Sequence, residues 1–229
     1  AAEGCAALLR HGGGRRDGAR RELYLKLVRG YARSKSCGAR QSFVLVAQQL
    51  VALFSSKFVK EWVFDLCLEL LYDPVPNVRL SVAGLLPSLK QVIRLPEDVE
   101  LLERLNNAMS TAMTDVDRDV SVTARATNEA FKRVPVRMGV GTQVVEVNGL
   151  GSSAGYEAAD RKREAEEVEL GIFTPDEAKE IRMELGPTIV RRRVQATPLA
   201  GRALGAASVM SGGSGGAARA GTVAAATAG

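Results

Sequence analysis

Asp115, Asp117 and Asp119 alternate within "DVDRD", a spacing at which carboxylates can gather around a calcium ion. The stretch has neither the central glycine nor the terminal glutamate of a calcium-binding loop, so a solvated turn with a helix cap is the better reading. "GGG" at 12–14 and "GGSGG" at 212–216 carry the glycines of a phosphate cradle, but no lysine follows and no strand–turn–helix frames them. They read as spacers. Cys5, Cys37 and Cys67 are odd in number and far apart, and His11 is the single histidine. Neither a Cys/His metal site nor a disulfide framework is expected from them. The expectation is therefore a protein that is not an enzyme and holds no cofactor or metal.

The remaining chemistry is that of contact. Trp62 and Phe64 are candidate partner anchors, since aromatic side chains dominate interface energetics. Helical periodicity puts Trp62 on a core stripe and Phe64 off it, which makes Phe64 the better surface candidate, flanked by solvated Lys57, Lys60 and Glu61. "IVRRRVQATPL" joins Arg191, Arg192 and Arg193 to Thr197-Pro198, the make-up of a basic docking motif beside a proline-directed phosphorylation site. Such short matches also arise by chance.

Charge is uneven. Residues 1–54 hold 10 basic and 3 acidic side chains, for +7, against −2 for 55–134 and zero for 135–229, within a total of +5. The basic third could face an acidic partner or nucleic acid, or be a solvated helix face; without interleaved aromatics nucleic acid is disfavoured. No run approaches 18 apolar residues, so no transmembrane helix is expected. No charged segment leads into an apolar one at the start, so no secretory signal is expected. Scattered free cysteines suit a reducing compartment, and the expected location is cytoplasmic, with the nucleus as the alternative. The chain opens on Ala rather than Met, as a fragment or processed chain would.

These residues are positioned by consecutive amphipathic segments. Phe43, Val46, Ala47, Leu50, Val51 and Phe54 line one; Val59, Trp62, Val63, Leu66, Cys67, Leu70 and Leu71 line another over 57–72. Val78, Val82, Leu85, Leu86, Leu89, Val92 and Ile93 follow over 77–93, with Pro87 expected to kink that helix. Pro96, Glu97 and Asp98 read as a helix start, because proline suits the first turn and acids complement the positive helix end. Leu101, Leu105, Ala108 and Met109 line that helix, and Val120, Ala124, Thr127, Phe131 and Val134 the last. Leu23, Leu27, Val28 and Tyr31 form a weaker stripe upstream.

The breaks between segments repeat. "LYDPVPNVRLSVA" and "AMTDVDRDVSVTA" align with Asp73 over Asp115, Asn77 over Asp119 and Val78 over Val120, and Arg40 in "SKSCGARQSFVLV" falls loosely in the place of Arg79. A period near 40 residues holding two helices is the signature of a HEAT-type solenoid, in which stacked neighbours build one continuous core. In the break, Pro74 and Pro76 forbid helix continuation, and Asn77 is a plausible N-cap, as is Asp119 one repeat later. Arg79 either bridges to an acid of the adjacent turn, Asp115 or Asp117, or stands exposed.

The expected organisation is an all-α protein. Residues 1–18 read as flexible and 19–134 as a HEAT-type solenoid of about three helix pairs. Residues 135–229 read as a low-complexity, mostly disordered tail, because an Ala/Gly/Ser composition buries too little apolar surface to offset backbone ordering. Short helices at 157–170 and 174–185 are expected to be transient rather than packed.

"SKFVKEWVFDLCLEL", "DPVPNVRL", "LLP" with its following lysine, and "LPEDVELLERL", closed by "DVDRDV" and "KRV", resemble the last HEAT repeats of the protein phosphatase 4 regulatory subunit 4 family, over roughly residues 40–134. The ordered series with its spacings is more specific than any one turn. The resemblance implies a non-catalytic scaffold that binds a PP2A-like serine/threonine phosphatase catalytic subunit. A phosphatase active site of that class needs several His and Asp metal ligands, which one histidine cannot supply. Under this reading the helix-connecting turns present Asp73, Asn77, Arg79, Asp115 and Asp119 along one edge to a protein partner. The alternative is a HEAT-repeat transport or coat-adaptor protein that binds cargo.

Overall fold

The computed structural model describes residues 2–12, 18–138 and 153–186. The chain divides into Ala1–Arg193 and Val194–Gly229, and all described residues lie in the first unit. The Ala/Gly-rich tail and the Arg191–Thr197 motif therefore lie outside the described residues. Among those residues no helix is long and apolar enough to cross a membrane.

The fold is an all-α solenoid. Helix α1 (Ala2–His11) precedes α2 (Ala19–Leu27), which runs on into a π-helical turn (Val28–Ala32) and then α3 (Cys37–Leu53). The second pair is α4 (Ser56–Trp62) and α5 (Phe64–Leu70) against α6 (Pro76–Lys90); the third is α7 (Val99–Met113) against α8 (Arg118–Arg133). Helix α3 packs on α6 and α6 on α8, forming one stacked row, with α7 on α6 and α8 and α1 against α3. This is the arrangement that the 40-residue period implies: each pair buries its apolar stripe against the next.

The stripes are the ones their spacing indicates. Phe43, Leu50, Val59, Val78, Leu86, Leu105 and Ala124 are all buried. Helix α6 continues through Pro87 to Lys90. Lys90 leaves it to donate from Nζ to the Phe131 carbonyl at 2.9 Å, tying α6 to the end of α8, and burial pulls its pKa down.

Five local readings are corrected. The segment 57–72 is two helices, because Val63 (φ −119, ψ −39) ends α4 and resets the helical phase. Phe64, expected at the surface, is consequently fully buried, and Trp62 remains in the core. Pro96, Glu97 and Asp98 form a turn ahead of α7 rather than its first turn. The buried Asp98 carboxylate accepts from the Arg94 amide and from Lys60 Nζ, both at 2.8 Å, and Lys60 is thereby held rather than freely solvated. Tyr31, expected on the upstream stripe, lies in the π-helical turn and is exposed, while Tyr24 of α2 is buried.

Residues outside the repeats also pack. Helix α1 buries Ala6, Leu9 and Arg10 within the segment expected to be flexible. Downstream, β1 (Arg94–Leu95) pairs in parallel with β2 (Arg137–Met138), and α9 (Ser153–Glu169) and α10 (Pro175–Leu185) follow. Helix α9 contacts α4 and α10 contacts α2. Thr174 and Glu177 form a reciprocal capping box at the start of α10, and Ala178 and Ile181 are buried. Both helices pack against the solenoid.

Candidate functional site

The turns between paired helices are built alike. In the first, Asp73 Oδ1 accepts from the Val75 amide at 2.8 Å, an Asx turn that leads into α6 with Val75 in the N-cap position and Pro76 in its first turn. In the next, Asp115 Oδ1 accepts from the Asp117 amide at 2.8 Å, and Asp117 caps α8 by accepting from the Asp119 and Val120 amides. The helix caps are therefore each two residues earlier than Asn77 and Asp119. Both of those residues lie within their helices with exposed side chains, Asn77 in α6 and Asp119 in the first turn of α8.

An arginine joins each turn to the next. Arg40 donates from Nε to Asp73 Oδ2 at 2.5 Å and from Nη2 to Oδ1 at 2.9 Å, while Nη1 holds the Ser34 carbonyl at 2.8 Å. Arg79 donates from Nε and Nη2 to Asp115, both at 2.8 Å, while Nη1 holds the Asp73 carbonyl at 2.8 Å. Each guanidinium thus binds a carboxylate of the following turn in a fork and a carbonyl of its own turn, geometry that only arginine supplies. The hydrogen bond that Arg40 donates to Asp73 raises the Arg40 pKa further above its already high value. Ser121 occupies the place that Asp115 and Asp73, 42 positions apart, assign to the next arginine, so the ladder ends there.

Of the five residues expected on a partner-facing edge, three are held within the ladder and two are exposed. The Asp73 carboxylate is held by Arg40 and the Val75 amide, and Arg79 is held by Asp115 and the Asp73 carbonyl. Asn77 and Asp119 are exposed. A cleft of about 390 Å³ lies at the two turns, lined by Tyr72, Asp73, Pro74, Pro76, Arg79, Val116 and Asp117, with Val116 75% exposed. Among the described residues no group of three His, Cys, Asp or Glu side chains could hold a metal ion. The ladder's guanidinium and carboxylate groups are bound to one another and to backbone, which fixes the turns relative to each other.

A second cluster was not legible as a site. Glu167 of α9 accepts from the Ser55 amide and, at 2.5 Å, from the Ser55 hydroxyl, and Asp160 accepts from the Ser56 amide at 2.8 Å. Arg137 donates to Asp160 at 3.3 Å and to Ser56 Oγ at 2.7 Å. Burial pushes the Glu167 carboxyl above its usual value, with the Ser55 hydrogen bonds and Arg10 pulling the other way. The basic excess of residues 1–54, open to several readings in sequence, is met here by acids of the same chain: Arg10 pairs with Glu166, Arg29 with Glu184, and Arg21 with Glu180.

No profile of a known protein family matches the chain. No solved structure matches it either. Two curated proteins do: the serine/threonine-protein phosphatase 4 regulatory subunit 4 of Mus musculus and that of Homo sapiens, each 29% identical over 125 residues, 54% of this chain. The matched stretch is 14% of the length of either relative, so the chain spans only a small part of the proteins it resembles. An α-solenoid with a repeating turn, matched at this identity, bears out the resemblance of this chain to the protein phosphatase 4 regulatory subunit 4 family.

Proposed function

We propose that the chain is a non-catalytic scaffold piece that associates with a PP2A-like serine/threonine phosphatase catalytic subunit of the protein phosphatase 4 type. The observation that carries the reading is the 125-residue similarity to two proteins named as phosphatase 4 regulatory subunits. The mechanism is positioning. The buried Arg40–Asp73 and Arg79–Asp115 pairs fix the spacing of the turns, and exposed Asn77 and Asp119 meet the partner along the edge so formed. Asp73, Arg79 and Asp115 act on that edge by holding its shape. The place of action in this reading is the cytoplasm.

The test is a pull-down of a purified phosphatase 4-type catalytic subunit by the chain and by its full-length parent. Retention by both supports the reading, and Asn77→Lys with Asp119→Lys should then weaken retention about tenfold. Unchanged retention by that variant removes the edge assignment. Failure of the parent to retain the subunit ends the scaffold reading.

A further inference from the structure

Helices α9 and α10 carry, over residues 153–186, ten acidic against five basic side chains, a net −5. They lie against α2 and α4, next to the part of the chain whose first 54 residues hold +7. The junction has the anatomy of a bound ligand rather than of a repeat. At its centre the turn between α9 and α10 inserts Phe173, whose ring lies 5.0 Å from Trp62, 5.4 Å from Tyr24 and 5.9 Å from Phe58. Phe173 holds a left-handed backbone conformation (φ 54) to reach that position, uncommon for a non-glycine residue. Around this anchor runs a rim of charge: Arg21 and Arg29 on Glu184, Lys57 on Glu164, and Arg182 on Glu61. A partly buried aromatic anchor packed on buried rings, with a charged, part-exposed rim, matches the way protein interfaces are built. The stacked row of α3, α6 and α8 is formed without α9 or α10, and Ala178 and Ile181 of α10 join the apolar core at its side.

We propose that the face formed by α1, α2 and α4 is a docking surface for an acidic helical segment of a partner protein anchored by an aromatic side chain, and that α9–α10 is its resident internal competitor. The partner is specified by the occupant: acids spaced to meet Arg21, Arg29 and Lys57, and a ring to replace Phe173 between Trp62 and Tyr24. The inference stands independently of the phosphatase reading, because it rests on no residue of the repeat ladder.

The test titrates the full chain with a fluorescent peptide of residues 153–186 as the probe, at low and at high salt. A full chain carrying Phe173→Ala and Glu184→Arg, which weakens the resident helices, should bind the peptide at least tenfold more tightly than the unaltered chain. Binding should fall at least tenfold in 1 M salt, since the rim charges are screened over about 3 Å there. Equal affinity for the two chains, or no binding to an altered chain that is still helical by circular dichroism, overturns the proposal. Dimerisation of the unaltered chain through exchanged α9–α10 also overturns it, by making a second copy the partner. If the altered chain does not fold, hydrogen exchange on the unaltered chain decides. Amides of 170–185 should open in 1 M salt while those of 78–89 stay protected; opening of both together makes α9–α10 part of the core and refutes the proposal.

Discussion

Arg79 and Asp115 stand 36 positions apart in sequence and meet in a two-pronged pair, their side chains 6% and 3% exposed. Burying such a pair is costly in desolvation, so its value lies in what happens when one partner is lost. Arg79→Ala leaves the Asp115 carboxylate buried without its main counter-charge and the Asp73 carbonyl short of a donor. We expect a loss of roughly 3–5 kcal/mol in folding stability. Replacing both residues with apolar ones of similar volume should cost clearly less than the sum of the single changes. Urea unfolding of the three variants measures this; additive losses would mean the two residues act separately.

Phe64 is wholly enclosed, with the Arg104 guanidinium 5.8 Å from its ring centre. Phe64→Ala should therefore cost about 3–5 kcal/mol, in the range for emptying a buried aromatic site. A surface phenylalanine would lose almost nothing. Thermal or urea unfolding distinguishes the two directly.

What the sequence makes legible follows from where the physics is local. Pro74 and Pro76 bar the preceding helix from continuing into the turn, and the recurrence of an Asp–x–x–x–Asn/Asp–Val turn after 42 residues reveals the stacking that no single helix shows. Arg79 reaching Asp115 was one of two open readings, and Arg40 standing in the place of Arg79 was visible only loosely, because its turn lacks the prolines. Phe64 was misplaced because the break at Val63 carries no Pro or Gly. The helical phase shifts there for a tertiary reason, so periodicity counted straight through it. The docking of α9 was hidden for another reason: a run of alternating charges looks solvated until its partners are known, and Ser55 and Arg10 lie more than 100 positions away from Glu167.

The three thiols should separate in a labelling experiment. Cys37 is exposed at the start of α3, whereas Cys67 is buried and its thiol is pushed up to about 12 by burial. Since the thiolate is the reactive form, Cys37 should modify first and Cys67 only when the chain unfolds. Cys5 is half-buried with a raised pKa and should lag behind Cys37. Mass spectrometry of peptides after timed alkylation gives the order, and early modification of Cys67 would contradict the packing of α5.

Glu167 makes the chain's stability depend on pH in an unusual direction. Its carboxyl is raised chiefly by burial, against the pull of Ser55 and of Arg10 Nη1 at 3.7 Å, with Asp160 adding to the rise. A raised acid holds its proton more tightly folded than unfolded, so its contribution is fully present below the unfolded value, about 4.3, and is lost as pH climbs through the folded value. Glu167→Gln keeps an acceptor for the Ser55 amide and removes the titration. The stability of the unaltered chain relative to that variant should accordingly fall as pH rises from about 4 and level off once Glu167 is ionised in both states. Urea unfolding of the pair across that range provides the check. A difference that grows with pH would mean Arg10 outweighs burial, and that the carboxylate is the form α9 docks with most firmly.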